Sequence, residues 1–113
     1  LVLWNLHRVR DRKHLVLVEG FFGVMRLHQL GVPAVTLMGR SLSEEQIALL
    51  RQAGVRYLTL LMDGDEPGRS GAAAMMEMLA RAPFRVKIAL LPDGTEPDTA
   101  PEAVLRELLG LKS

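Results

Sequence analysis

Cysteine is absent from this chain, which excludes a disulfide scaffold and any thiolate zinc site within it and fits a reducing compartment. Nothing approaches the roughly 18 consecutive apolar residues that a membrane span needs, so no membrane partner is expected. The opening Leu1–Leu6 stretch is too short, and lacks the basic start, to serve as a secretory signal. An excess of one charge is missing too, since 14 Lys and Arg stand against 13 Asp and Glu. There is no internal repeat, low-complexity tract or linker-like segment, and one domain over residues 1–113 is expected. The histidines, His7, His14 and His28, form no ligand pair at helical spacing, and Ser41 and Ser70 lack an evident histidine base, so nucleophilic hydrolysis has little support.

What is present is ordinary for a folded chain large enough to bury a core: 49% hydrophobic and 24% charged residues. The charge is unevenly distributed. His7 to His14 form a basic run, whereas Asp63 to Glu66 and Asp93 to Asp98 are acidic. The basic run reads equally well as a solvated surface and as a phosphate contact. The chain opens without methionine, in apolar sequence holding its only tryptophan, Trp4. The expectation is a piece of a longer protein whose remainder covers that surface.

Val- and Leu-rich runs predict strands at about 15–18, 33–38, 56–62 and 85–91, with little polar alternation, as for strands covered on both faces. Between them, Phe22, Met25, Leu27 and Leu30 predict a helix over Phe21 to Leu30, closed by Gly31 and Pro33. Ser43 and Gln46 match a capping box at the start of a second helix ending at Ala53-Gly54. A third spans about Pro67 to Arg81, with Met75, Met78 and Leu79 toward the core, and a short fourth spans Pro101 to Leu109. Alternating strands and helices imply an α/β fold, a mostly parallel four-stranded sheet with helices on both faces.

The functional reading turns on acids at strand ends. Asp63-Gly64-Asp65 follows one apolar run, Glu19-Gly20 follows another, and Asp93 to Asp98 follows a third. Carboxyl ends of parallel strands border the ligand crevice of such sheets. Crowded carboxylates repel unless a cation neutralises them, and hard cations such as magnesium take one or two carboxylates plus water and phosphate oxygens. An Asp-Gly turn simply leaving a strand is the competing reading. A phosphate-binding loop is rejected: only three residues separate Gly64 from Gly68, and Arg69 stands where the motif needs lysine. Arg69 near a helix start remains a phosphate-contact candidate.

Taken together, Leu17-Val18-Glu19-Gly20-Phe21-Phe22, Leu60 to Arg69 and Leu90 to Asp98 resemble the Toprim domain, in the form found in bacterial DnaG-type primases and related plasmid and phage primase-like proteins. The likeness runs from about Leu6 to Leu109. It implies Glu19 as the catalytic carboxylate that assists proton transfer and shares in metal binding, with Asp63 and Asp65 as metal ligands and Glu96 and Asp98 completing the cluster. Gly20, Gly39, Gly64 and Arg69 would line the substrate-phosphate region. Two departures stand out: Gly23 where these primases commonly carry Asp, and Glu96 where Asp is usual. They imply one metal position weakened or reshaped.

The resemblance implies a metal-binding catalytic domain of a primase-like nucleotidyltransferase, using Mg2+ or Mn2+ to make RNA primers on single-stranded DNA from nucleoside triphosphates, in the cytoplasm and with a helicase partner. The isolated domain is expected to be inactive. The alternatives are a nuclease or topoisomerase-related phosphodiester enzyme, or a non-catalytic nucleic-acid- or metal-binding module. A topoisomerase needs a tyrosine nucleophile, and Tyr57 is expected in a core strand.

Overall fold

The computed structural model describes residues 3–4, 13–18, 20–37, 43–80, 82 and 84–111. Five strands and four helices follow in the order β1 (Leu3–Trp4), β2 (His14–Val18), α1 (Phe21–Gln29), β3 (Ala34–Leu37), α2 (Glu44–Gln52), β4 (Tyr57–Met62), α3 (Glu66–Leu79), β5 (Arg85–Leu90) and α4 (Glu102–Leu108). The sheet order is β1-β3-β2-β4-β5. β2, β3, β4 and β5 are parallel, as the sequence implies. The edge strand β1, antiparallel to β3 with Leu3 opposite Leu37, has no counterpart in the sequence reading, because two residues are too few to show a period.

Successive strand residues point to opposite faces, so each central strand feeds two cores. Leu15, Leu17, Leu58, Leu60 and Met62 pack with Leu50 of α2 and Ala72, Met75 and Leu79 of α3. Val16, Val18 and Leu61 pack on the other face with Val24 and Leu27 of α1 and Leu105 of α4. Each fully buried Leu or Val contributes about 1.5–3 kcal/mol over its exposed state, which is why a sheet covered on both sides uses unbroken apolar runs.

A local signal accounts for the start of α2. Ser43 and Gln46 form the reciprocal capping box: the Gln46 amide donates to Ser43 Oγ at 3.1 Å and the Ser43 amide donates to Gln46 Oε1 at 2.9 Å. Three expectations about helix and strand faces need correction. Phe22 is 69% exposed and Met25 51%, while Gly23, Val24 and Leu27 form the inward stripe, so that of the expected positions only Leu27 and the half-buried Leu30 turn toward the core. Met78 is 43% exposed, the inward pair of α3 being Met75 and Leu79, four apart. Tyr57 is 48% exposed, because it starts β4 at the rim of the sheet, where its ring lies edge-on to that of His14 with centroids 6.3 Å apart.

Candidate functional site

β2 and β4 are neighbours, but α1 leaves β2 for one face of the sheet and α3 leaves β4 for the other. At such a switch point the two connections diverge and leave a crevice at the carboxyl ends of the strands. A cavity of about 240 Å³ lies there, lined by Gly20, Phe22, Gly23, Asp63, Glu96, Pro97 and Asp98. Three acids from two loops, one after β4 and one after β5, thus share one space with the start of α1. Asp63 is half-buried, and Glu96 and Asp98 are exposed. Glu19 and Gly39 lie outside the described residues, as does the basic run before Lys13.

The other expected site residues stand around this cavity without lining it. Asp65 is exposed, and its carbonyl accepts the Arg69 amide at 3.0 Å, the first hydrogen bond of α3. Arg69 Nη1 donates to Asp93 Oδ1 at 3.0 Å, linking the start of α3 to the turn after β5. Gly64 joins the loop after β4 to the loop after β5. It is buried, its amide donates to the Thr95 carbonyl at 2.9 Å, and its carbonyl accepts the Gly94 amide at 2.8 Å. Gly64 therefore ties the two acidic loops together.

Gly23 also has a physical cause. A Cβ there would stand 3.1 Å from Pro97 Cβ and 3.2 Å from Val18 Cγ2, so the glycine lets α1 pack closely on the last loop and on the end of β2. That loop is tightly folded. The Thr99 and Ala100 amides donate to the Glu96 carbonyl at 3.0 and 2.8 Å, and the Glu96 amide donates to Thr99 Oγ1 at 3.0 Å.

Three neighbours escaped sequence reasoning. Phe22 lines the cavity because the start of α1 turns it outward, and exposure is not legible in an apolar residue type. Thr36 of β3 donates its hydroxyl to the Val18 carbonyl at 2.8 Å, fixing the backbone just before Glu19. Arg26 reaches the carbonyls of Asp98 and Ala100, 72 and 74 positions away, with no local signal. Tyr57 precedes Asp63 by the whole of β4, roughly 20 Å at strand rise, which removes it from this cavity.

The oxygen donors suit a hard divalent cation. Among the described residues no three His, Asp or Glu side chains are grouped closely enough to hold an ion by themselves. Magnesium is a cation of this kind, taking one or two carboxylates and completing its shell with water and substrate oxygens. No helix among the described residues is long and apolar enough to cross a membrane.

Comparison with known proteins gives the same direction from sequence and from fold. The Toprim-like family profile matches residues 16–100. A DNA primase of Myxococcus xanthus is 41% identical over 92 residues, a match that covers 80% of this chain and 15% of that protein. The DnaG catalytic core superposes with a TM-score of 0.80 at 27% identity, covering 96% of this chain and 38% of that one. The DnaG primase catalytic domain bound to ssDNA superposes with a TM-score of 0.76 at 27% identity, again over 96% of this chain and 38% of that one. The chain thus spans only a minor part of the curated primases it matches. By the profile over most of its length and by its fold, the chain belongs to the Toprim-like family, with its likeness to DnaG-type DNA primases.

Proposed function

We propose that this chain is the metal-binding catalytic segment of a longer DNA primase-like nucleotidyltransferase that makes RNA primers on single-stranded DNA. The observation that carries the reading is the shared cavity of Asp63, Glu96 and Asp98 beside Gly20, at the switch point of a Toprim-like fold. Its partners would be a single-stranded template, nucleoside triphosphates and a helicase, in the cytoplasm. One of the solved structures similar to this chain is a DnaG primase catalytic domain bound to ssDNA.

In this reading Glu19, Asp63, Asp65, Glu96 and Asp98 would hold Mg2+ or Mn2+, which supplies positive charge to the attacking and leaving oxygens. The reaction joins a primer 3′-hydroxyl oxygen to the α-phosphorus of a nucleoside triphosphate and releases pyrophosphate. Glu19 takes the hydroxyl proton as that oxygen attacks. Gly20 and Gly39 leave room for the triphosphate to approach the backbone. Arg69, in the first turn of α3, offers its guanidinium to a phosphate oxygen, with the dipole of the helix start behind it.

Two measurements test this. Calorimetric titration of Mn2+ into the chain should show weak binding that the double substitution Asp63→Asn/Asp65→Asn removes; equal binding by both proteins sinks the ligand assignment. In the intact parent protein, Glu19→Gln should abolish primer synthesis with the fold unchanged, and full activity would remove Glu19 from the chemistry.

A further inference from the structure

Helix α1 touches the acidic loop at two points one turn apart, on the same side of the helix. At Gly23 the helix backbone lies against Pro97, where an added Cβ would come within 3.1 Å of the Pro97 Cβ. At Arg26 the two terminal nitrogens of one guanidinium separate. Nη1 donates to the Asp98 carbonyl and Nη2 to the Ala100 carbonyl, each at 3.0 Å. The carbonyl of Glu96 is already used by the Thr99 and Ala100 amides. The loop is therefore closed internally through Glu96 and held externally through Asp98 and Ala100. Arg26 is half-buried, and Ala100 is buried in the same core as Val24 and Leu27 of α1.

We propose that Arg26 is a positioning residue of the acidic site. By bridging the Asp98 and Ala100 carbonyls it sets where the Glu96 and Asp98 carboxylates stand relative to Asp63. The chemistry favours arginine for this work: its donors are fixed in one plane and always charged, whereas a lysine ammonium is a point donor on a flexible stem. The placement matters because Gly20 leads directly into α1, so one rigid element carries the segment after β2 at its start and holds the loop after β5 in its middle. A shift of that loop would alter the spacing of carboxylates that share one cavity while leaving the sheet intact. The inference rests on the metal-site reading given above, and its test separates the two.

Mn2+ is titrated into the chain as wild type, Arg26→Ala, Arg26→Lys, Asp98→Asn and Leu50→Val, the last altering a buried side chain on the opposite face of the sheet. Arg26→Ala should weaken Mn2+ binding roughly tenfold, the usual scale for losing a group that orients a metal ligand. Arg26→Lys should recover only part of it, and Leu50→Val should lower the unfolding midpoint without changing Mn2+ affinity. Undiminished binding in Arg26→Ala, alongside lost binding in Asp98→Asn, overturns the inference and leaves the metal site standing. A second measurement needs no metal: in Arg26→Ala the Thr99 and Ala100 amides should lose protection from hydrogen exchange while those of Val16 and Leu60 keep it. Unchanged protection at Thr99 and Ala100 also overturns the inference. If wild type and Asp98→Asn bind Mn2+ equally, the metal reading fails, and the exchange result alone decides whether Arg26 positions this loop.

Discussion

Gly64 and Pro92 approach so closely that a Cβ on Gly64 would fall 2.7 Å from the Pro92 carbonyl carbon, inside any real contact distance. The contact is between two backbones, so no rotamer change relieves it. Gly64→Ala should therefore destabilise the chain by about 2–3 kcal/mol, the upper part of the range for forced overpacking. Gly20→Ala, with nothing within 4 Å of the added methyl, should stay within ~0.5 kcal/mol of wild type. Urea unfolding of both variants checks the pair; equal midpoints would mean that the two acidic loops are not locked together.

At Gly23 two effects oppose each other. Replacing a helical glycine by alanine is ordinarily worth up to about 1 kcal/mol, but here the methyl must push on Pro97 and Val18. Gly23→Ala should show none of the usual gain, and the larger Gly23→Asp should lose about 1–3 kcal/mol. A carboxylate introduced here should thus displace the last loop before it strengthens metal binding. A Gly23→Asp variant of undiminished stability and tighter Mn2+ binding would contradict this.

The Arg69–Asp93 pair joins side chains that are 43% and 91% exposed. Solvent screens such a pair, so Asp93→Asn should change stability by less than about 1 kcal/mol and the change should fade with added salt. Chemical unfolding at low and high salt reads both effects.

Ser43→Ala removes the acceptor for the Gln46 amide at the start of α2. Loss of such a cap costs about 1 kcal/mol, measurable as a lower unfolding midpoint with the Mn2+ response unaltered, since α2 lies on the face of the sheet away from α1.

Primer synthesis by residues 1–113 alone should be undetectable. A net charge of +1 and a cavity rimmed by carboxylates cannot hold a template strand, whose affinity depends on basic contacts to phosphates. Radiolabelled primer assays of the chain, with and without the rest of the parent protein, check this; synthesis by the chain alone would refute it.

Several features were legible in the sequence because their causes are local. Unbroken apolar runs such as Leu15 to Val18 mark strands buried on both faces, and Ser43 with Gln46 marks a helix start three residues apart. The ordered acids after three of those runs carried the family resemblance. Tertiary structure alone decided the rest. That β2 lies between β3 and β4 depends on which connections cross the sheet, and neither a run nor a spacing records that. Phe22 and Met25 face outward because α1 packs on the sheet through Gly23, Val24 and Leu27 instead. Gly64 reads as a turn glycine, yet its reason is the Pro92 backbone 28 positions later. Arg26 reads as one more surface cation until the fold brings Asp98 and Ala100 against it. Periodicity reports which way a residue points relative to its own element; which distant backbone it meets is set only when the elements pack.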